Sequence, residues 1–75
     1  MKIIIIGING MIGSSLFRHL KKSHEVIGTL RNNREFYDKY EELKSENLIY
    51  DIDICDIEMI NSLIDSQRPN ILINA

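Results

Sequence analysis

One cysteine, one proline and no tryptophan occur in 75 residues, and aromatic side chains of all kinds make up only 7%. With Cys55 as the sole thiol no internal disulfide can form, and no CxxC pair or Cys/His ligand spacing is present, so a disulfide scaffold and a zinc site are both excluded. Cys55 is read as a small, partly buried residue near the start of a helix rather than as a reactive thiol. Cationic excess is missing too. Nine basic residues face eleven acidic ones, a net charge of −2, and no Lys/Arg stripe interleaves with aromatics, so nucleic-acid binding lacks its electrostatic footprint. Every apolar run falls far short of the roughly 20 residues that span a bilayer, and the amino-terminal run carries no signal-cleavage pattern. No membrane association and a cytoplasmic location are the default expectations. Repeats, linkers and low-complexity tracts are also lacking.

What remains is 44% hydrophobic and 27% charged residues, the balance of a globular domain. A chain this short buries only about 60% of its unfolded surface, so its margin of stability is expected to be thin. Two features carry most of the information. Ile3–Ile6 is a continuous β-branched run, as expected of a strand covered on both faces. Gly7, Gly10 and Gly13 follow it directly, and a helical pattern opens near Met11.

A strand, a glycine turn and a helix in that order make a site for a pyrophosphate. Glycine serves the turn itself, the close approach of backbone to ligand, and the packing of helix on strand. The helix N-terminus supplies unpaired N–H groups and about half a positive charge. A tight turn that binds nothing is the bland alternative. A phosphate-loop NTPase is excluded, because Gly13-Ser14-Ser15 lacks the lysine of that loop.

The coarse order is strand Lys2 to Ile6, helix about Met11 to Lys22, strand Glu25 to Leu30 and a helix within Arg34 to Lys44. Strand Leu48 to Asp51, helix about Asp56 to Gln67 and strand Ile71 to Asn74 follow. Ile12, Leu16 and Leu20, with Phe17, form an apolar stripe on the first helix; Ile57, Ile60, Leu63 and Ile64 form one on the last. The middle helix has a shorter face of Phe36, Tyr37, Tyr40 and Leu43. Asp56 is positioned to cap the last helix, and Pro69 prevents its continuation. Right-handed crossovers then give an α/β fold with a parallel sheet in the order 3-2-1-4 and flanking helices, the N-terminal half of a Rossmann fold. His19 and His24 have no partner at a telling spacing and are assigned to surface or packing roles.

The segment Lys2 to Leu16 resembles the opening of an extended short-chain dehydrogenase/reductase of the NAD(P)-dependent epimerase/dehydratase type, with its GxxGxxG fingerprint. Arg68-Pro69-Asn70-Ile71-Leu72-Ile73-Asn74-Ala75 is similar to the approach to strand four, and Asp53-Ile54-Cys55-Asp56 to the stretch after strand three. Within the superfamily the dTDP-4-dehydrorhamnose reductase group fits best, through the glycine turn, Gly28-Thr29-Leu30-Arg31 and Arg68-Pro69-Asn70. The resemblance spans the whole chain as one NAD(P)-binding segment, residues 1–75, ending after the fourth strand. It implies a cofactor site of Gly7, Asn9, Gly10, Met11, Ile12 and Gly13 at the turn, Asp53 and Ile54 at the adenine, and Asn74 and Ala75 at the end of strand four. For Asp53 a plain solvent-facing carboxylate is the alternative.

NAD-preferring members commonly carry an acid at the end of strand two, where it accepts from the ribose 2′-OH. Thr29-Leu30-Arg31 stands there instead, and Arg31 and Arg34 can donate bidentate hydrogen bonds to a 2′-phosphate, so NADP is favoured over NAD. Tyr40 and Lys44 match the family's catalytic Tyr-xxx-Lys by letter only. They lie between strands two and three, on the adenosine side, and Tyr and Lys four apart are neighbours on any helix. No catalytic residue is therefore assigned. The expected function is the N-terminal NADP-binding portion of a sugar-nucleotide reductase or epimerase, inactive by itself, with the nucleotide-sugar region elsewhere. A non-catalytic dinucleotide-binding or regulatory module is the alternative. Self-association through the open edge of strand four is a further expectation.

Overall fold

The structure, a computed structural model, describes residues 1–40 and 47–75. Its elements run β1 (Lys2–Ile6), α1 (Met11–Leu20), β2 (Glu25–Thr29), a 3₁₀ turn (Arg34–Tyr37), β3 (Leu48–Ile49), α2 (Ile57–Gln67) and β4 (Ile71–Asn74). All three strand pairings are parallel and the sheet order is β3-β2-β1-β4. This is the order expected from the sequence. β1 lies between β2, with Ile3 opposite Val26, and β4, with Ile3 opposite Ile71.

Because side chains alternate along a strand, the isoleucine run feeds two cores. Ile3 and Ile5 join Ile8, Phe17, Val26, Leu30 and Tyr37 on the α1 side. Ile4 and Ile6 join Ile52, Ile60 and Leu63 on the α2 side. Burial on both faces is why no polar residue interrupts the run.

Each helix departs from its expected stripe in the first turn. Ile12 and Ile57 are 70% and 72% exposed, whereas Gly13 and Phe17 of α1, and Ile60 and Leu63 of α2, are buried. Gly13 occupies the place where α1 meets the turn after β1. A Cβ there would lie 2.4 Å from the Gly7 carbonyl oxygen, so close contact rather than apolar bulk sets the helix's rotation. Asp56 caps α2 as expected, its carboxylate accepting from the Met59 N–H at 3.1 Å.

The described part of the middle helix, residues 34–40, is a correction. Only one 3₁₀ turn forms among the described residues, with Asn33 Oδ1 accepting from the Phe36 N–H at 2.9 Å; Tyr37 turns into the core and Phe36 outward. The rest of the expected helix, including Leu43 and Lys44, falls largely in 41–46, outside the described residues. β3 is two residues long because Asp51 takes a left-handed conformation, φ 61°, that ends regular pairing. α1 stops at Leu20, and β2 at Thr29. Among the described residues nothing pairs with the outer edge of β4.

Candidate functional site

The carboxyl ends of β1, β2 and β4 open on one cleft of about 220 Å³, lined by Ile6, Gly7, Asn9, Arg31, Ile52, Asp53, Ile54, Cys55, Asn74 and Ala75. Ligands of open parallel sheets bind outside strand ends where the strand order reverses, and β1, with β2 on one side and β4 on the other, is that place.

The floor of the cleft is the turn after β1. Gly7 has φ +81°, which only glycine adopts without strain. Thr29, wholly buried at the end of β2, holds this turn from below. Its carbonyl accepts from the N–H groups of Gly7 (3.2 Å) and Ile8 (3.1 Å), and its Oγ1 accepts from Gly7 at 3.3 Å. Ile8, 1% exposed, is buried where Gly28 leaves room; a Cβ on Gly28 would lie 2.7 Å from the Ile8 side chain.

Gly10 is different. Its backbone is extended, φ −85° and ψ 168°, and among the described residues the one atom a Cβ would approach is the Gly7 carbonyl oxygen at 4.0 Å. The chain itself has no need of glycine there. Gly10 is also the N-cap of α1, and no side chain caps it; no acid stands in the first turn. The first intrahelical bond runs from the Ser14 N–H to the Gly10 carbonyl at 3.0 Å, so the N–H groups of Met11, Ile12 and Gly13 have no intrahelical acceptor. An uncapped N-terminus without an opposing acid is suited to an external anion.

The second wall comes from the segment after β3. The Asp53 carboxylate is turned onto its own loop, where Oδ1 accepts from the Cys55 N–H at 2.9 Å, and its carbonyl accepts from Asp56 at 2.9 Å. Asp53 is half-buried and Ile54 exposed. Cys55 is exposed and lines the cleft, a correction to the partly buried position expected of it. The third wall is the end of β4, where the Ala75 N–H donates to the Ile6 carbonyl at 3.1 Å.

Of the residues singled out from the sequence, Gly7, Asn9, Arg31, Asp53, Ile54, Asn74 and Ala75 are brought together. Gly10, Met11, Ile12 and Gly13 form the adjoining start of α1 and do not line the cleft; Met11 and Ile12 are exposed. Arg34 opens the 3₁₀ turn on the surface, also outside the lining. Tyr40 is partly exposed and does not line the cleft, and its partner by letter, Lys44, lies outside the described residues. His19 is exposed and His24 half-buried, away from the cleft.

Sequence reasoning missed Ile6, Ile52 and Cys55 as lining and Thr29 as the clamp beneath the turn. Thr29 had a signal, being a polar residue at the end of a strand that is otherwise apolar after Glu25. The described residues hold no group of three or more acidic, histidine or cysteine side chains able to take a metal ion, and no helix among them is long and apolar enough to cross a membrane. No curated protein and no solved structure matched the chain. A family model did match, and it spans both the glycine turn and the far wall of the cleft. With residues 3–75 covered, the chain belongs to the NAD dependent epimerase/dehydratase family.

Proposed function

We propose that the turn after β1 and the start of α1 hold the pyrophosphate of NADP, in the cofactor-binding portion of a sugar-nucleotide reductase or epimerase similar to the dTDP-4-dehydrorhamnose reductases. Family membership implies a nicotinamide dinucleotide. The observation that carries the placement is Gly10. It is a glycine that neither its backbone conformation nor its protein neighbours require, beside a helix N-terminus that nothing caps. A ligand approaching closely accounts for both.

In this reading Gly7, Asn9, Gly10, Met11, Ile12 and Gly13 surround the pyrophosphate. Asp53 and Ile54 take the adenine, polar edge and ring face respectively, and Asn74 and Ala75 border the cofactor beyond β1. Arg31, which lines the cleft, takes the 2′-phosphate, with Arg34 as a second cation nearby. The absence of an acid at Thr29-Leu30-Arg31 supports NADP over NAD. The cleft is smaller than the roughly 300–1,000 Å³ of whole ligand pockets, so it takes the adenosine side and the rest lies over the turn. The cofactor, when bound, supplies or accepts hydride. These residues bind and orient it, and none of them is assigned an acid or base role.

The test is Gly10→Ser. Serine is a good N-cap, so its hydroxyl satisfies an N–H of the first turn and the unliganded protein melts at the same temperature or higher. The same hydroxyl fills the approach to those donors. Calorimetric titration should show NADP affinity reduced at least about tenfold, the equivalent of roughly 1.4 kcal/mol. Undiminished affinity rejects the placement.

A further inference from the structure

Tyr37 is 3% exposed and packs in the α1-side core with Leu30 and Val26, its ring centroid 6.3 Å from that of Tyr50. A phenylalanine would fill that space equally well. What phenylalanine lacks is the hydroxyl, and a buried hydroxyl is costly unless it is hydrogen-bonded. Here Oη accepts from the backbone N–H of Asn32 at 3.2 Å and from Asn32 Nδ2 at 3.4 Å.

Asn32 follows Arg31. Its carbonyl is held as well, accepting from the N–H of the left-handed Asp51 at 3.1 Å. On the other side of Arg31, Leu30 is fixed through both of its peptide groups. Its N–H donates to the Ile49 carbonyl at 2.9 Å, and its carbonyl accepts from Ile52 at 3.0 Å. Arg31 thus stands on a stretch tied down at both neighbours, past the end of regular β2, and it lines the cleft from there. A long, rotamer-rich cation gains selectivity when its base is fixed in advance, because less freedom is lost on binding.

We propose that Tyr37 is a positioning residue for Arg31, and that its hydroxyl sets the preference for a dinucleotide bearing a 2′-phosphate. The proposal rests on the NADP reading of Arg31 given above. The experiment measures NADP and NAD dissociation constants for the unaltered protein, Tyr37→Phe, Arg31→Ala and the double variant. NAD, lacking the 2′-phosphate, reports whether the fold and the remaining site are intact.

The expected result for Tyr37→Phe is a fall of about threefold to tenfold in NADP affinity relative to NAD, the size of one hydrogen bond. In the Arg31→Ala background the same substitution should leave that ratio unchanged, since a residue acting through another has nothing left to act on. A ratio unmoved by Tyr37→Phe while Arg31→Ala lowers it overturns the role of Tyr37 alone. A ratio unmoved by Arg31→Ala itself overturns the 2′-phosphate reading and this proposal with it. Asn32→Ala, which removes the 3.4 Å bond and spares the core, must lower the ratio to a smaller degree. If Tyr37→Phe fails to fold, an unchanged ratio in Asn32→Ala rejects the proposal.

Discussion

At the scale of single residues, the three turn glycines separate by cause. Gly7 answers to a backbone angle, Gly13 to a neighbouring carbonyl, and Gly10 to nothing among the described residues. Gly13→Ala is therefore expected to damage the fold before it damages binding. Its Cβ meets backbone atoms at 2.4 and 3.0 Å that cannot swing aside, and overpacking of this kind costs typically about 1–3 kcal/mol. For a domain of this size each kcal/mol lowers the melting temperature by about 4–8 °C, so calorimetric melting reads the effect directly. An unchanged melt would show that α1 can shift outward. The sequence displayed the three glycines equally. It could not show which were owed to the chain, because that depends on what stands opposite each one.

At the scale of elements, the two helices begin in opposite ways. α2 has its Asp56 cap and α1 has none. Asp56→Ala should cost about 1 kcal/mol by chemical denaturation and leave dinucleotide affinity unaltered. A matching loss of affinity would mean that the cap also orders Asp53 and the second wall. β4 makes a second contrast, since Ile71 and Leu72 are exposed on a strand whose outer edge is unpaired among the described residues. Such edges pair with further strands unless a charge or a cover prevents it. Mass measured by sedimentation should accordingly rise with concentration, and Leu72→Lys should suppress the rise; equal behaviour of the two proteins rules this edge out. The strands and α2 were legible because periodicity and caps are local. In the described part of the middle segment the apolar face placed Tyr37 inward correctly, but not Phe36, because one 3₁₀ turn forms there and points it outward.

At the scale of the whole molecule, sheet order followed from the sequence, as the isoleucine run and the glycine turn together admit few topologies; of the site residues named from it, Gly10, Met11, Ile12, Gly13 and Arg34 lie outside the cleft lining. Rotation of the helices, the exposure of Cys55 and the anchoring of Arg31 did not follow from it, the last resting in part on bonds from Leu30 to Ile49 and Ile52, far along the chain. A small domain with thin stability should respond strongly to its ligand. NADP at about a hundred times its dissociation constant contributes roughly 2.7 kcal/mol, so melting should rise by about 10–20 °C. Absence of any shift would argue against NADP at this sheet end. Ile8 gives that response a route. It belongs to the turn after β1 by sequence and to the α1-side core by burial, seated against the bare backbone of Gly28. Dislodging that turn would uncover Ile8 and the core residues packed with it. Slowest-exchanging amides of β1 and β2 should thus gain the greatest protection if a dinucleotide binds there.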